Sequence, residues 1–351
     1  MKTIQDVAAL AGVSVSTVSN VLNDREARMR PETLARVKAA IAELGFRPNH
    51  SARMLKTGHM PMIGLMVPTI ANPFFGVLAR WVEEAAQARG YGVLLCNTYR
   101  NAQRERDYAE AFMAQGVRGV ILGAALIAQE HLVPLIGQGL AAVSLDRGTS
   151  SDGLLRDSVS VDNGQAGAMA AEHLIGLGHK RITFVTAASN SVNRVARQEG
   201  AQLACMRAGV EFDVHVGSTD GDFNENEMVE LGCSAAVATQ EKGNPATALI
   251  GVNDMVAIGL LAGLRRAGVD VPRQVSVIGI DGLFLGNYVS PPLATVAQPM
   301  EAIAQAAVEH LLNRMMRLDM EPRQVIFSPE LLVRSSTGPA PGSARRGRKS
   351  A

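Results

Sequence analysis

The feature that most constrains the fold is a change of sequence pattern near residue 60. Residues 1–60 place apolar side chains at helical spacing and contain no segment typical of a strand. From residue 62 onward, short runs rich in Val, Ile and Leu alternate with amphipathic stretches of helical length. Such alternation is typical of parallel sheets with helices on both faces. The chain is therefore predicted to join a small all-α head to a larger α/β body.

The head is predicted to contain three helices, because capping residues, a proline and glycines delimit them. Thr3 and Ser14 are expected to cap the first two, at residues 4–11 and 15–22. The third begins near Pro31 and ends before Gly45, and a further short helix follows Pro48.

The first two helices have the spacing of a helix-turn-helix. Ala8 is small enough to let the helices cross closely, and Gly12 makes the turn. Short polar residues then face outward from the second helix, which suits a helix that enters the major groove and meets base edges and phosphates. These residues are Ser16, Thr17, Ser19 and Asn20. The alternative is an ordinary three-helix bundle.

The body contains more strand–helix units than one sheet usually holds, so two α/β lobes are predicted. The strand candidates are residues 62–67, 92–96, 119–122, 142–145, 159–161, 181–185, 248–252 and 275–280. The helix candidates between and after them are residues 75–89, 104–115, 164–177, 195–208, 224–240, 254–267 and 300–312.

Polar residues follow several of these strands directly. Asp146, Asn253 and Asp281 each come at the end of a strand candidate, and Arg197 lies in the helix after another. Because open α/β sheets bind ligands at the carboxyl ends of their strands, these side chains are candidates for one cleft. Such a set suits a ligand with many hydroxyls or a carboxylate. The alternatives are helix caps for the acids and Asn253, and a surface position for Arg197.

Charge is segregated along the chain, although the total is only +1. Residues 1–60 carry +4, residues 61–338 carry −7, and residues 339–351 carry +4. A basic head on an acidic body favours a polyanion-binding module joined to a part that need not touch nucleic acid. Chance clustering on a solvated face is the alternative. The tail 339–351, rich in Pro, Gly, Ser and Arg, is predicted to be disordered.

Several classes of protein are disfavoured. The sequence has no P-loop, no Gly-x-Gly-x-x-Gly after a strand, no His-Glu-x-x-His and no Gly-x-Ser-x-Gly, so an enzyme is not predicted. The three cysteines have no metal-ligand spacing, and His173 and His179 are widely separated from acidic ligands, so no metal and no cofactor are expected. No apolar run spans a membrane and no secretory signal is recognised, so a cytoplasmic protein is expected. An enzyme of sugar metabolism and a transport-type binding protein remain as alternatives.

A series of ordered motifs resembles the LacI/GalR family of bacterial transcriptional regulators. The likeness covers residue 2 to about 338, and its motifs lie at residues 3–23, 43–49, 52–55, 72–75, 160–163, 171–179, 253–255, 275–281 and 291–296. The resemblance implies an N-terminal helix-turn-helix domain, residues 1–47, and a hinge helix and linker, residues 48–60. It also implies a two-lobe core like a periplasmic sugar-binding protein, residues 61–338. Lobe 1 is expected at about 61–161 and 295–322, and lobe 2 at about 162–294 and 323–338.

The resemblance also implies roles in DNA binding. Val15, Ser16 and Asn20 fall where the family reads bases, although Asn20 replaces the commonest residue there, an arginine. Thr17, Ser19 and Asn23 correspond to phosphate-positioning residues. In the hinge helix, Leu55 falls where the family wedges a leucine between base pairs in the minor groove, with Ala52 packed against the same groove. The full candidate DNA-binding set is Thr3, Ser14, Val15, Ser16, Thr17, Ser19, Asn20, Asn23, Ala52, Leu55 and Lys56.

The core is implied to bind a small polar effector, most simply a sugar, between its lobes. The candidate effector-binding set is Phe74, Phe75, Asp146, Arg197, Asn253 and Asp281, with the two phenylalanines as a stacking face or as core residues. The resemblance further implies a homodimer on double-stranded operator DNA, a repressor controlled allosterically by the effector, and no catalysis. No leucine heptad follows residue 338, so a coiled-coil tetramer tail is not expected.

Overall fold

Capping and glycine positions determine the helices of the head. A computed structural model describes residues 2–22, 29–46, 60–123, 130–146, 157–188, 191–217, 226–241 and 246–342. The chain divides into two compact units, Met1–Met60 and Pro61–Ala351. The head helices are α1 (Ile4–Ala11), α2 (Val15–Val21) and α3 (Pro31–Leu44).

The caps predicted for the head are confirmed. The Thr3 side chain accepts from the Asp6 backbone N–H and Asp6 returns the bond to Thr3, which forms a capping box. Ser14 accepts from the Thr17 N–H at 3.2 Å, and Gly12 takes the left-handed conformation at φ 61°. The three helices bury a small apolar core, formed by Val7, Ala8, Ala11, Val18, Val21, Val37 and Ala40.

The body consists of two six-stranded sheets with helices on both faces, so the predicted fold class is confirmed. Its strands are β1 (Met62–Val67), β2 (Gly92–Asn97), β3 (Gly119–Leu122), β4 (Ala141–Ser144), β5 (Asp157–Val161), β6 (Arg181–Ala187), β7 (Glu211–Gly217), β8 (Ala248–Gly251), β9 (Ser276–Asp281), β10 (Ala294–Ala297), β11 (Gln324–Phe327) and β12 (Glu330–Leu332). Its helices are α4 (Pro73–Gln87), α5 (Ala102–Ala114), α6 (Val133–Gly137), α7 (Asn163–Gly176), α8 (Val192–Arg207), α9 (Glu227–Gln240), α10 (Asp254–Arg266) and α11 (Met300–Met316).

The two lobes share one strand order. The first sheet runs β11-β5-β4-β3-β1-β2 and the second β12-β10-β9-β8-β6-β7. All pairs are parallel except β10 with β12, which is antiparallel. Each lobe therefore has the doubly wound topology whose ligands bind beyond the carboxyl ends of the strands, near the point where the strand order reverses.

Two of the predicted lobe boundaries differ from the structure. β10 belongs to the second sheet and β11 to the first, so the chain crosses between lobes after residues 161, 297 and 327. The predicted crossings at 294/295 and 322/323 were therefore too early, by about one short strand each. Both strands have four residues and follow prolines, which leaves little periodicity to place them. The chain also stays in contact with lobe 2 beyond residue 338, because the Ala340 N–H donates to the Leu177 carbonyl at 2.9 Å.

A buried ion pair holds the end of α11 against lobe 1. Arg314 is 1% exposed, and its Nε and Nη2 donate to the two carboxylate oxygens of Asp157 at 3.1 and 2.8 Å. The remaining donors of Arg314 bond to the carbonyls of Leu318, Met320 and Glu321. One side chain thus anchors the turn after α11 to strand β5.

Glycines bring two pairs of lobe 2 helices into backbone contact. A Cβ added to Gly167 of α7 would lie 1.8 Å from the Arg197 carbonyl oxygen of α8, and one on Gly200 would lie 2.0 Å from the Gly164 oxygen. The same arrangement joins α9 to α10 at Gly232 and Gly259. Only a residue without a side chain fits these positions, so the separation of α7 and α8 is determined by glycine.

Candidate functional site

The second helix of the head presents the predicted DNA-reading residues on one accessible face. Val15 is 41% exposed, Ser16 and Asn20 are exposed, and Thr17 and Ser19 are half-buried. The hydroxyls of Ser14, Ser16 and Thr17 bond to one another at 2.8 and 2.9 Å. Thr3 and Ser14 are exposed caps at the N-termini of α1 and α2, where backbone N–H groups favour an anion such as phosphate.

All six predicted effector residues of the body line one cavity. It has a volume of about 80 Å³ and lies between the carboxyl ends of both sheets. Residues that follow β1 and β4 supply Phe74, Phe75 and Asp146 from lobe 1, whereas Arg197, Asn253 and Asp281 come from lobe 2. The sequence therefore identified members of a single site from positions up to about two hundred residues apart.

Arg197 and Asp281 form a buried ion pair at the lobe 2 wall. Nη2 of Arg197 lies 3.1 Å from Oδ1 of Asp281, and Nη1 donates to the Val252 carbonyl at 2.8 Å. Nε donates to Oδ1 of Asn163 at 2.8 Å, so the first residue of α7 positions Arg197. A surface position for Arg197 is thus wrong. Gln298 also donates to Oδ1 of Asp281, at 2.7 Å.

Asp146 and Asn253 occupy opposite lobes of the cavity. Asn253 both caps α10, accepting from the Val256 N–H at 2.9 Å, and lines the cavity, so the two interpretations of this residue hold together. Asp146 accepts a short hydrogen bond from the Asn193 amide of lobe 2. A hydrogen bond therefore joins the two lobes across the site.

Of the two roles predicted for Phe74 and Phe75, the structure shows the core role, for Phe75, whereas stacking on a ligand stays a prediction for Phe74. Phe75 is 7% exposed and belongs to the core of lobe 1, whereas Phe74 is half-buried and packs on it edge to face, with ring centroids 5.1 Å apart. Both contribute atoms to the cavity wall. Phe74 offers an apolar surface of the kind on which the C–H face of a sugar ring packs.

The sequences of known proteins identify the family. Residues 3–49 match the model described as "Bacterial regulatory proteins, lacI family", and residues 171–337 match "Periplasmic binding protein-like domain". The HTH-type transcriptional repressor PurR of Photobacterium profundum is 34% identical over 337 residues, which cover 96% of this chain and 98% of that protein. The chain belongs to the LacI family. It is therefore a DNA-binding transcriptional regulator.

Two further similarities agree with membership of the LacI family. The ribose operon repressor of Escherichia coli K12 is 32% identical over 347 residues, covering 96% of this chain and all of that protein. The crystal structure of a LacI family transcriptional regulator from Enterococcus faecium with bound ribose superposes with a TM-score of 0.70 at 28% identity. It covers 79% of this chain and 99% of that one.

Six polar cavity residues of this LacI-family chain were not predicted from its sequence. They are Asn72, Arg100, Ser191, Asn193, Arg194 and Gln298. Asn72 and Arg100 follow β1 and β2, so the strand-end argument would have found both if applied to every strand. Ser191, Asn193 and Arg194 lie at the start of α8, which begins three residues earlier than predicted. Gln298 follows a strand that was not predicted.

Part of the predicted DNA-binding set lies outside the described residues. Asn23, Ala52, Leu55 and Lys56 fall there, as does nearly all of the hinge segment 48–60. Across the described part of the chain, no group of three His, Cys, Asp or Glu side chains could hold a metal ion. None of the described helices is long and apolar enough to cross a membrane.

Two buried carboxyl groups of lobe 2, Asp254 and Asp281, have shifted pKa values. Burial, together with the charge of Asp281, raises the pKa of Asp254 to about 7. Burial likewise raises the pKa of Asp281, although Arg197 opposes this. Asp254 accepts from the Leu283 N–H and the Thr295 hydroxyl, both at 2.6 Å. Asp281 has φ 144°, a conformation that non-glycine residues rarely adopt.

Because the Asp254 pKa is raised on folding, the native protein binds more protons than the unfolded chain between about pH 4 and 7. The stability contributed by this group is complete below pH 4 and is lost as pH rises toward 7. We therefore expect Asp254→Asn to flatten the fall of the thermal midpoint between pH 5 and 7.5. Asp319→Asn, at an exposed turn, is the charge-matched control. Equal pH slopes for wild type and Asp254→Asn would contradict the raised pKa.

Proposed function

We propose that this LacI-family regulator is a repressor whose operator affinity is controlled by a small polar effector bound between the two core lobes. The observation that carries the proposal is the convergence of the six predicted effector residues, three of them at strand ends, on one cavity between the lobes. The ribose bound to the Enterococcus faecium relative supports a sugar-like effector of the same general kind. The protein would act in the cytoplasm, without catalysis.

In the proposed DNA complex, two copies of the chain place their α2 helices in successive major-groove half-sites. Val15, Ser16 and Asn20 would contact base edges, whereas Thr3, Ser14, Thr17, Ser19 and Asn23 would position the helix on phosphates. The hinge residues Ala52, Leu55 and Lys56 would enter the central minor groove, with Leu55 as a wedge. The exposure of Val15, Ser16 and Asn20 supports the base-reading role.

Effector control follows from the construction of the cavity. Asp146 from lobe 1 and Arg197, Asn253 and Asp281 from lobe 2 would bind the hydroxyl groups, with Phe74 against an apolar face of the ligand and Phe75 behind it. A ligand that contacts both lobes stabilises one relative orientation of them. That orientation would determine whether the two hinge segments stay ordered together. The coupling is reciprocal: an effector that weakens DNA binding is bound equally less tightly by the DNA complex.

The DNA-reading role is tested with an operator obtained by selecting binding sites from genomic fragments. Asn20→Ala is expected to weaken operator binding about 10- to 100-fold, because a good pair of base-edge hydrogen bonds contributes about 1–3 kcal/mol of discrimination. Binding to unrelated DNA should change little, since that affinity comes from phosphate contacts. Fluorescence anisotropy measures both.

Ala39→Ser is the matched control, because Ala39 is exposed on α3, away from the proposed reading helix. Both substitutions lie on the surface, so neither should lower the thermal midpoint of the head. Ala39→Ser should bind the operator as tightly as wild type. If Asn20→Ala does so too, Asn20 does not read bases.

A further inference from the structure

Three arginines contribute to the same effector cavity, and only one of them was expected from the sequence. Arg100 comes from the turn after β2 in lobe 1, and Arg194 and Arg197 lie one helical turn apart on α8 in lobe 2. A neutral ligand needs hydrogen-bonding groups but no excess of fixed positive charge. The balance of charge around each arginine therefore indicates what kind of ligand the cavity accepts.

The guanidinium group of Arg197 already has partners within the protein. Its Nε, Nη1 and Nη2 atoms contact Asn163, the Val252 carbonyl and Asp281. Asp281 is the ion-pair partner of Arg197, and Gln298 donates to the same carboxyl oxygen. Arg197 is thus positioned by the fold before any ligand arrives.

Arg194 has no ion-pair partner of this kind among the residues that the structure describes. The only hydrogen-bond acceptor within reach there is the thioether of Met228, with Nη2 3.7 Å from Sδ. A thioether is a weak acceptor, and a guanidinium offers five donors in a planar fork. Burial and the charges of Arg100 and Arg197 lower the pKa of Arg194 to about 10, although the charges of Glu227 and Asp281 oppose the shift. These two carboxyl groups act on Arg194 from a distance, and no carboxylate of the described residues forms an ion pair with it.

Arg100 is directed to the cavity by an unusual turn. Tyr99 and Arg100 have φ values of 51° and 54°, so two successive non-glycine residues adopt the left-handed conformation. Such backbone strain persists where the surroundings require it, commonly at binding sites. Burial lowers the pKa of Arg100, and the nearby Asp146 carboxylate opposes the shift. Lobe 1 therefore supplies a second cation facing the Arg194 side of the cavity.

We infer that the effector is a polyhydroxylated anion, a sugar acid or a sugar phosphate, whose anionic group binds to the Arg194 guanidinium with Arg100 beside it. The inference rests on the proposed effector function and specifies its ligand. The planar guanidinium fork matches the oxygens of a carboxylate or phosphate. The hydroxyls of the same molecule would donate to Asp146 and accept from Asn193, while its apolar face packs on Phe74. A neutral sugar would leave the Arg194 guanidinium without an ion-pair partner among the described residues.

The test uses the full chain at constant ionic strength with four probes: inorganic phosphate, D-gluconate, D-glucose 6-phosphate and the neutral D-sorbitol. Calorimetric affinities and thermal midpoints are measured for wild type, Arg194→Gln, Arg194→Lys and Arg273→Gln. Arg273 is an exposed arginine of lobe 2, so its variant matches the charge change outside the cavity. Affinity for the selected operator without any probe is measured on every sample.

In wild type, phosphate should raise the thermal midpoint, and at least one of the sugar anions should bind at least tenfold more tightly than sorbitol. Arg194→Gln should lose these responses, Arg194→Lys should restore part of them, and Arg273→Gln should keep them. Whichever of gluconate and glucose 6-phosphate binds more tightly identifies the anionic group of the effector as a carboxylate or a phosphate. An undiminished anion response in Arg194→Gln, no anion response in wild type, or sorbitol binding as tightly as the anions would each overturn the inference. Failure of wild type to bind an operator would instead count against the proposed function.

Discussion

Replacing Asp157 by Ala is expected to lower the free energy of unfolding of the α/β body by about 3–5 kcal/mol, the usual cost of leaving a buried charge without its partner. Arg314 is 1% exposed and would keep only backbone carbonyls as acceptors. The Arg323 N–H would also lose its bond to Oδ1 of Asp157, 2.7 Å long. Urea unfolding followed by the fluorescence of Trp81 in lobe 1 measures the change.

Two further variants distinguish this buried ion pair from an exposed one. Glu110→Ala breaks the exposed Arg106–Glu110 pair on α5 and should cost less than about 0.5 kcal/mol. The double variant Asp157→Ala, Arg314→Met removes both charges and should recover a large part of the loss, because no unpaired charge is left buried. A single variant as stable as Glu110→Ala would show that the pair contributes little.

Gly167→Ala is expected to lower the free energy of unfolding by about 3 kcal/mol and to weaken effector binding. The added methyl group would lie 1.8 Å from the Arg197 carbonyl oxygen, so α7 and α8 would have to separate. That separation would pull Arg197 Nε away from Asn163, which it now contacts at 2.8 Å. The thermal midpoint reports the loss of stability, and calorimetry with the best-binding probe reports the loss of affinity.

Gly176→Ala is the matched control, since it makes the same change at the end of the same helix. A Cβ at Gly176 meets no atom within 4 Å, and Ala has a higher helix propensity than Gly by up to about 1 kcal/mol. This variant should therefore be as stable as wild type or more stable, with unchanged affinity. The prediction is wrong if both glycine variants behave alike.

Local signals allowed the head and most of the body to be predicted from the sequence. The capping box at Thr3, the cap at Ser14 and the left-handed Gly12 each depend on a few neighbouring residues, so α1 begins and ends as predicted. The buried parallel strands are short apolar runs, and the predicted strand β3 matches the structure at both ends. Such elements are specified by residues close in sequence.

The elements that were not predicted from the sequence differ from the buried strands in pattern or in length. β7 is an edge strand with half-exposed residues, in which Asp213 and His215 alternate with apolar residues, so it has no continuous apolar run of the kind used to find the buried strands. β10, β11 and β12 have three or four residues each, and their pairing partners are distant in sequence. Which sheet each joins depends on the tertiary fold, and the lobe boundaries were misplaced for the same reason.

The candidate site, like the fold, contains some residues that could be predicted from the sequence and others that could not. Asp146, Asn253 and Asp281 could be predicted because each follows a strand, and parallel topology brings strand ends together. The partners that define the chemistry could not: Asn163 under Arg197, Gln298 on Asp281 and Met228 beside Arg194 are set by helix packing and lobe crossings. The sequence therefore predicted residues of the cavity that is proposed to bind the effector, whereas the charge of that effector could be inferred only from the arginines seen in the structure.

The cavity lies beside the segments in which the chain crosses between the lobes. Val161 precedes the first crossing and Gln298 lies in the second, and both contribute to the cavity wall. The Asp162 N–H donates to the Phe327 carbonyl at 2.9 Å, which ties the first crossing to the third. A molecule bound in the cavity would therefore lie next to the segments about which the lobes would turn if their relative orientation changed. A displacement there of a fraction of an ångström would become a larger movement at the far ends of the lobes.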